Sequence, residues 1–256
     1  MKKFYKIECL TNLHAGSGDI NYNIIDNEVE KDPVTGYPMI HSSGIKGALR
    51  DHFKGILSES KLAEVFGKPG NDENTLVSGG KYKFLDACII ARPLRAESAE
   101  FASLPVFSLA MVNQFIRLCT AFGKPVNGGN PIEAIEFGDN KFLVNCNGIK
   151  SIEGERTAKL SAEDAEKFKF LEDIIGKNFA VAKNINEFDL PVLARNCLVE
   201  GHENLWFEEV VPHGSIFFFA IFAPDDEQEF ALKFNDIVQF GAHSSIGRGY
   251  CKVTEI

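Results

Sequence analysis

Residues 24–50 read IIDNEVEKDPVTGYPMIHSSGIKGALR and place an acidic run, a proline-containing turn and a helix start within one short span. The pattern predicts a short strand over 37–41, followed by a helix that opens at His41 and Ser42. Apolar residues then recur at helical spacing and predict the buried stripe of that helix: Ile45, Leu49, Phe53 and Ile56. A strand that leads directly into an amphipathic helix is typical of a domain in which helices cover a sheet.

The start of this helix also has the features of an anion-binding site. Ser42, Ser43 and Gly44 can cap the helix while its first backbone N–H groups point outward, and the helix dipole adds partial positive charge there. Lys46 lies one turn further on, and Arg50 follows it by four residues. The pattern predicts phosphate binding, although an ordinary capped amphipathic helix with solvated cations explains the same residues. The stretch is not a P-loop, because G-x-x-x-x-G-K-[ST] is absent.

Outward from this stretch, strand and helix patterns alternate along the chain. Further strands are predicted over 3–10, 81–91, 190–199, 205–211 and 217–222, and at the end of 239–253. Further helices are predicted from Ser108 to Phe122 and over 159–176, the latter with Ser161 as its N-cap. Loops are predicted over 13–19 and 67–80. The alternation indicates an α+β fold, and no break in composition divides residues 1–256 into more than one domain.

Composition argues against several classes of protein. The formal net charge of −9 speaks against non-specific binding to nucleic acid but allows a local cationic groove. The chain contains no apolar run of about 18 residues, so we expect no transmembrane helix. Its first residues lack a signal-like apolar core, so we expect a cytoplasmic protein. The six cysteines are scattered without a C-x-x-C pair, which indicates buried, reduced thiols and argues against a zinc site or disulfides.

The stretch GAHSSIGRGY, residues 241–250, offers a second surface for anions. Gly241, Gly247 and Gly249 allow a backbone to approach a ligand closely, and Arg248 supplies a fork of donors for phosphate. A tight hairpin whose glycines only satisfy positive φ angles explains the stretch equally well. Two such loops near opposite ends of one chain could position a sugar-phosphate backbone without reading its sequence.

Acidic residues and histidines supply candidates for chemistry. Asp26 lies just downstream of the glycine-rich loop that contains His14. Glu208 and Glu209 lie beside a buried strand, so one of them must face inward or into a cleft. These residues also have ordinary structural interpretations. Asp26 could be a turn or cap residue, and the two glutamates could lie on a solvent-exposed strand edge. The histidines show no H-x-x-x-H or H-x-H spacing, so the sequence does not support a histidine metal cage.

Five stretches, in the same order, resemble the RAMP proteins of type III CRISPR effectors: LHAGSG, IIDNEVEKDPVTGYPMIHSSGIKGALR, DACIIARPLR, NLWFEEVVPHGSIFFF and FGAHSSIGRGY. They span the chain from residue 13 to residue 250, and the resemblance is closest to the backbone subunit of the type III-B (Cmr) complex. The helix-entry and glycine-rich stretches are shared by the wider superfamily, whereas NLWFEE points to the Cmr branch. The chain departs from the family pattern at Ile40-His41, where Pro-Gly usually precedes the two serines. This departure concerns the shape of the loop and not the helix end.

The resemblance implies an RRM-like (ferredoxin-like) palm with inserted segments. One of these would be a β-hairpin thumb within 183–204, which wedges between bases and kinks the guide–target duplex at regular intervals. Several copies of the chain would stack head to tail along a CRISPR guide RNA, together with other Cmr subunits. A target single-stranded RNA would pair with that guide.

The resemblance also assigns roles to individual residues by position. The guide-RNA contacts would come from the helix entry and the glycine-rich signature: Ser42, Ser43, Lys46, Arg50, Gly247, Arg248 and Gly249. Asp26 falls on the aspartate with which family members cut target RNA. Its candidate assistants are His14, Glu208 and Glu209.

The implied chemistry is the cleavage of RNA by its own 2′-hydroxyl. Kinking flips a nucleotide out and can bring this hydroxyl in line with the adjacent phosphorus, so geometry supplies much of the acceleration. Asp26 would hold Mg²⁺ or another divalent cation, because an exposed carboxylate is a weak base. The products would carry a 2′,3′-cyclic phosphate and a 5′-hydroxyl.

Two other functions remain open from the sequence. The chain could be a purely structural RNA-binding backbone subunit that leaves cleavage to another component. It could also be an unrelated α+β enzyme that binds a small phosphorylated ligand at the start of the helix predicted over 43–57.

Overall fold

The computed structural model describes residues 1–16, 18, 24–68, 79–199, 202–227, 229–233 and 236–256, apart from the side chains of 197–199 and 202–203. The strands are β1 (Lys2–Cys9), β2 (Met39–Ile40), β3 (Lys83–Phe84), β4 (Ala87–Ser98), β5 (Ser103–Ser108), β6 (Phe142–Val144), β7 (Ile149–Ile152), β8 (Glu155–Lys159), β9 (Ala180–Ala182), β10 (Val192–Val199), β11 (His202–Glu209), β12 (Ile216–Phe222), β13 (Ile237–Gln239) and β14 (Tyr250–Glu255). The helices are α1 (Ser42–Phe53), α2 (Glu59–Phe66), α3 (Leu109–Ala121), α4 (Ala162–Glu166) and α5 (Glu172–Ile175). Within these ranges no helix is long and apolar enough to cross a membrane.

Most strands join one mixed sheet in the order β13-β14-β1-β12-β4-β5-β9-β6-β8-β7, with β2 beside β4 and β3 beside β12. Strand β1 is antiparallel to both of its neighbours, pairing Lys2 with Phe222 of β12 and Cys9 with Cys251 of β14. The pairs β5–β9 and β6–β8 are parallel. This mixed sheet with few helices confirms the predicted α+β class.

The centre of the sheet is apolar on both faces. Residues Ile216 to Ile221 of β12 are all buried, as the continuous apolar run predicts. The ring of Phe218 packs against Phe4 and Phe115, with centroid distances of 6.0 and 5.0 Å. This core holds β1 in place. The segment that follows Cys9 therefore starts from a fixed position and runs to the cleft described below.

Helices α1 and α3 follow the predicted patterns closely. Ile45, Leu49 and Phe53 form the buried stripe of α1, and α3 begins after Ser108, whose hydroxyl accepts a bond from the backbone N–H of Met111. The prediction for Ile56 was wrong, since this side chain is 64% exposed. The helix ends at Phe53 and the next residue is extended, so the helical spacing no longer applies.

The single helix predicted over 159–176 was also wrong, although its N-cap was not. Ser161 caps α4 by accepting a bond from the Asp164 backbone N–H at 3.0 Å. The chain then passes through a short 3-10 turn into α5. Phe168 and Leu171 are both fully buried, and the Phe168 ring packs 5.3 Å from Phe107. The bend in the chain allows both side chains to reach the core.

Several predicted strands have different limits in the structure. The strand predicted over 81–91 is divided into β3 and β4, and β4 continues to Ser98. Asp86 lies between the two strands, and its carboxylate accepts a hydrogen bond from the Ser42 backbone N–H at the start of α1. The strand predicted over 37–41 is reduced to β2. Most of the predicted loop 67–80 lies outside the described residues.

Strands β10 and β11 form a separate antiparallel hairpin that runs from the pair Val192–Glu209 to the pair Val199–His202. The range predicted for a thumb, 183–204, overlaps β10 and the beginning of β11. Arg195 and Trp206 are cross-strand neighbours, and the guanidinium carbon lies 5.7 Å from the indole centroid. This cation–π contact stabilises the middle of the hairpin.

The cysteines whose side chains are described are free thiols, as predicted. Cys9, Cys119, Cys146 and Cys251 are buried, and Cys88 is half-buried. Burial raises the pKa of Cys88 to about 11 and that of Cys119 to about 12. These two thiols are therefore protonated and poorly nucleophilic at neutral pH.

Candidate nucleic-acid interface

Four segments from distant parts of the chain meet around a cleft of about 760 Å³. They are residues 14–16 with Gly18, residues 26–30, the beginning of α1 and the start of the terminal glycine-rich loop. The lining residues are His14, Ala15, Gly16, Gly18, Asp26, Asn27, Glu28, Glu30, Ile40, His41, Ser43, Gly44, Gly241 and Ala242. The cleft combines carboxylates, an imidazole and a helix N-terminus within a single concave surface.

Asp26 is exposed in this cleft but fixed in position by the hairpin. Its carboxylate Oδ2 accepts a bond from the Phe207 backbone N–H at 2.8 Å, and its own N–H donates to the Phe207 carbonyl at 3.1 Å. Within the described residues Oδ1 has no assigned partner. One carboxylate oxygen therefore orients the side chain, and the other is available to a ligand.

Glu209 and His14 hold the two segments that flank Asp26. The buried Glu209 carboxylate accepts bonds from the Val29 backbone N–H at 3.1 Å and from Lys31 Nζ at 2.8 Å. His14 is also buried, and its Nδ1 lies 2.8 Å from the Glu209 carbonyl oxygen. Because a carbonyl oxygen can only accept, His14 Nδ1 carries a proton and donates it to this bond. Glu209 thus acts on the shape of the cleft and does not line it.

The helix entry is capped differently from the sequence prediction. The N-cap of α1 is His41, whose Nδ1 accepts from the Ser43 backbone N–H at 3.3 Å. The Ser42 backbone N–H donates to the Asp86 carboxylate at 2.6 Å. Ser43 lines the cleft, whereas Ser42 is turned to Asp86. The prediction that Ser42 caps the helix was wrong. His41 is the cap, and the Asp86 carboxylate supplies a negative charge to the first turn.

Lys46 and Arg50 continue from the cleft along α1. Both are half-exposed, and neither forms an ion pair with any residue in the described part of the chain. An unpaired cation on a helix surface keeps its charge available to a ligand. A phosphate chain leaving the cleft along this helix would meet both side chains.

Glu208 lies behind the cleft in a buried polar network. Its side chain is fully buried and accepts from Trp206 Nε1 at 2.7 Å and from Arg248 Nη1. His243 Nε2 lies 3.4 Å and Arg195 Nη1 3.8 Å from the same carboxylate. Burial alone would raise the pKa of Glu208, but the bonds from Trp206 and Arg248 outweigh it, so the pKa is lowered. Glu208 is therefore ionised and joins the hairpin to the terminal loop.

The terminal loop lies against the segment that contains His14. The Ala242 backbone N–H donates to the His14 carbonyl at 2.9 Å, and the Gly249 N–H donates to the Asn12 carbonyl at 3.0 Å. Gly241 has φ +72°, and a Cβ there would lie 2.3 Å from the His14 carbonyl oxygen. Only glycine permits this approach. The two glycine-rich loops recognised in the sequence are thus packed together.

Gly247 and Gly249 provide a matched pair for testing this packing. Both have positive φ, but a Cβ on Gly249 would lie 1.9 Å from the Phe240 carbonyl oxygen, whereas a Cβ on Gly247 meets nothing within 4 Å. We expect Gly247→Ala to cost about 1 kcal/mol of unfolding free energy, and Gly249→Ala about 2–3 kcal/mol because the backbone must also move. Urea unfolding of the two variants measures the difference. Equal costs would show that Gly249 is needed only for its φ angle.

The structure brings together some of the predicted site residues and separates others. Asp26, His14 and Ser43 share the cleft, while Glu208, Glu209 and Arg248 form its buried support. The buried Arg248 is engaged by Glu208, so a direct phosphate contact from Arg248 would require this pair to open. The predicted RNA contacts of Ser42, Gly247 and Gly249 stay predictions, since none of the three lines the cleft.

Sequence reasoning missed four residues that contribute to the site. Glu28 and Glu30 line the cleft beside Asp26, and the acidic run of residues 24–32 was the signal for them. Asp86 and His243 arrive from elsewhere in the chain. For His243 the available signal was a bulky residue inside a glycine-rich loop.

The donors around Asp26 fit a magnesium ion that takes part of its coordination from a phosphate-bearing substrate. Mg²⁺ is commonly bound by one or two carboxylates, with waters and substrate phosphates completing its shell. Asp26 offers one carboxylate oxygen that no described residue engages, and Glu28 and Glu30 line the same cleft. In the part of the chain that the structure describes, no three His, Cys, Asp or Glu side chains converge into a metal cage.

Comparison with known proteins places this arrangement in a family. The model of the RAMP superfamily matches residues 6–252. The chain belongs to the RAMP superfamily. The matched range contains every segment that builds the cleft of this RAMP protein, from His14 to Ala242.

One relative and two solved structures illustrate the similarity. The CRISPR system Cmr endoribonuclease Cmr4 of Pyrococcus furiosus is 26% identical over 287 residues, which cover 96% of this chain and 92% of that protein. A cryo-EM structure of the type III-B Cmr-beta complex bound to cognate target RNA contains a chain with a TM-score of 0.75 and 18% identity, covering 100% of this chain and 97% of the other. The crystal structure of oligomeric Cmr4 from Pyrococcus furiosus has a TM-score of 0.71 and 21% identity, with coverages of 99% and 97%. The two solved structures establish that the RAMP protein described here shares their fold.

Proposed function

We propose that this RAMP protein is the backbone subunit of a type III-B CRISPR effector, that it binds guide RNA, and that it cuts the paired target RNA. The observation that carries the proposal is that the fixed, exposed Asp26 and the entry of α1 line the same cleft. The relative in Pyrococcus furiosus is called a Cmr endoribonuclease, and a structural neighbour comes from a complex bound to target RNA. Copies of the chain stack head to tail along the guide and contact other Cmr subunits.

The proposed path of the guide follows α1. Lys46 and Arg50 are half-exposed cations that follow the cleft-lining Ser43 on the same helix. Cations at this spacing position a sugar-phosphate backbone without reading bases. The antiparallel strands β14-β1-β12-β4 act as an RRM-like palm beneath this path, and the β10–β11 hairpin acts as the thumb that kinks the guide–target duplex.

The proposed chemistry is cleavage of the target at the kink, with Asp26 beside the scissile linkage. Hairpin residue Phe207 fixes Asp26 through two hydrogen bonds, so movement of the thumb and position of the carboxylate are coupled. When bound, a divalent cation such as Mg²⁺ supplies charge stabilisation for the phosphate, with Asp26 as its protein ligand. The products carry a 2′,3′-cyclic phosphate and a 5′-hydroxyl.

A second candidate function is a backbone subunit that binds RNA without cutting it. The bond from Phe207 N–H to the Asp26 carboxylate favours this alternative, because it gives Asp26 a structural reason to be present. The two functions share the guide path and differ only in the role of Asp26.

The experiment that separates them uses the assembled complex. Purified complex is given a matched 5′-labelled target RNA with Mg²⁺, and the fragments are resolved on a sequencing gel. With a fluorophore as the 5′ label, fragments at regular spacing whose ends become sensitive to phosphatase only after acid opens a cyclic phosphate support the proposed function. An intact target in a complex that binds it with full occupancy would favour the scaffold.

The guide path itself is tested by removing its two cations. We expect the double variant Lys46→Ala/Arg50→Ala to bind guide RNA more weakly and to flatten the slope of log K against log salt by about 1.4, since each lost phosphate contact contributes about 0.7 on a single strand. Filter binding between 50 and 300 mM salt measures both. The control is Lys150→Ala/Arg156→Ala on the β7–β8 hairpin, which removes the same charges from another surface. An unchanged slope in the first variant would place the guide elsewhere.

A further inference from the structure

His243 occupies a position in the terminal loop that suits glycine better than histidine. Its φ of +66° and ψ of 34° lie in the left-handed region, which side chains with a Cβ adopt at a cost. At the neighbouring left-handed positions 241, 247 and 249 the loop has glycine. Strained residues of this kind concentrate at functional sites, where a side chain is needed despite the backbone.

The imidazole of His243 lies beside a buried carboxylate. Its Nε2 is 3.4 Å from Glu208 Oε1. The negative charge of Glu208 near Nε2 favours the neutral tautomer with its proton on that nitrogen, which leaves Nδ1 to accept a proton. The side chain is 35% exposed, so the ring is only partly covered. A carboxylate beside a histidine is the arrangement found where imidazoles act as general bases.

His243 also lies beside the cleft. Its ring centroid is 5.8 Å from that of His14, which lines the cleft, and its two preceding residues, Gly241 and Ala242, line it as well. Two imidazoles thus lie together where the terminal loop meets the segment that contains His14.

The charged and titratable groups around His243 leave it neutral at neutral pH. Burial lowers its pKa, and Arg248, His14 and Arg195 lower it further, while the Glu208 carboxylate opposes them. The net effect is a pKa below the usual value of histidine. A neutral imidazole is the form that accepts a proton.

We propose that His243 is a further catalytic residue of the RNA cleavage, acting as its general base. The inference rests on the proposed function. His243 Nδ1 takes the proton of the ribose 2′-hydroxyl while the 2′-oxygen forms a bond to the adjacent phosphorus. The bond from phosphorus to the 5′-oxygen breaks, and this oxygen takes a proton from water. The hydroxide so formed takes the proton back from the imidazolium, which leaves a 2′,3′-cyclic phosphate, a 5′-hydroxyl and neutral His243.

The left-handed backbone allows a test in which folding and catalysis respond in opposite directions. His243→Gly relieves the strain, so its melting temperature should equal or exceed that of the wild type. Its single-turnover cleavage rate in the assembled complex should fall about 100-fold, and added imidazole should recover at least about tenfold of the loss. Asn127→Gly is the matched control, because Asn127 also has positive φ (51°) and lies outside the cleft lining. Its rate should be unchanged.

The pH profile gives a second readout that a structural role would not move. In the wild type the rate should fall on acidification with a midpoint below the usual histidine value, as His243 becomes protonated. This limb should be absent from His243→Gly. A wild-type rate in His243→Gly, or a lost rate that imidazole does not restore, would overturn the inference.

Failure of the inference and failure of the proposed function are distinguishable in the same assay. If the wild-type complex cuts and His243→Gly cuts equally well, only the role of His243 is wrong. If the wild-type complex binds target but leaves it intact, the proposed function is wrong and the inference falls with it. If His243→Gly loses binding of the target and not the chemical step, His243 is an RNA contact and the general-base role is overturned.

Discussion

Replacing Asp26 by asparagine is expected to lower the single-turnover rate of target cleavage by about 10³-fold, while guide assembly and target binding stay at wild-type levels. The substitution is chosen for the geometry of the site. The amide oxygen of asparagine can still accept the bond from the Phe207 N–H that fixes the side chain, so the hairpin contact is retained. The negative charge is lost, and with it the carboxylate oxygen that the proposed function assigns to the substrate and a divalent cation.

The control for Asp26→Asn is Asp32→Asn. Asp32 is likewise a carboxylate that accepts backbone N–H bonds, from Val34 and Thr35, and it lies outside the cleft lining. Its variant should cut at the wild-type rate once folded. A normal rate in Asp26→Asn would show that cleavage does not depend on the Asp26 carboxylate, whereas loss of guide assembly in Asp26→Asn alone would make Asp26 a structural residue of the hairpin base.

Local elements of the fold could be predicted because their causes lie within a few residues of each other. The stripe Ile45–Leu49–Phe53 follows from helical spacing, and the cap at Ser161 follows from an acceptor three residues before its donor. The helix over 159–176 could not be predicted correctly. The helix bends there because Phe168 packs against Phe107 in the core. This contact is long-range, so no local pattern predicts it.

The candidate site could be predicted only in part, for the same reason. Asp26 and the helix entry were identified as two features of one short stretch, and the structure does place Asp26 and Ser43 in one cleft. The contacts that shape the cleft are long-range. His14 and Glu209 are 195 residues apart in the chain, and Glu208 and Arg248 are 40 residues apart. Their side chains could be listed from sequence as candidates, but their division into lining and supporting residues requires the fold.

Breaking the buried pair between Glu208 and Arg248 should have the largest effect on stability. We expect Glu208→Gln to lower the unfolding free energy by about 3 kcal/mol, because it leaves the buried Arg248 guanidinium without its counter-charge. The single tryptophan, Trp206, donates directly to Glu208, so its fluorescence during urea unfolding reports on this network. The exposed pair Lys3–Glu255 is the control, and Glu255→Gln should cost less than about 1 kcal/mol.

A double-mutant cycle and a pH series test whether the cost arises from the pair. Removing both charges in Glu208→Gln/Arg248→Met should be less damaging than the sum of the single variants, because no uncompensated buried charge remains. The folded-state pKa of Glu208 is lowered. Its contribution is therefore fully present above the unfolded pKa of about 4.3 and is lost as the pH falls through the folded value. The difference in unfolding free energy between wild type and Glu208→Gln should shrink below about pH 4. A difference that is constant across this range, with additive single variants, would show that Glu208 stabilises the loop by packing and not by its charge.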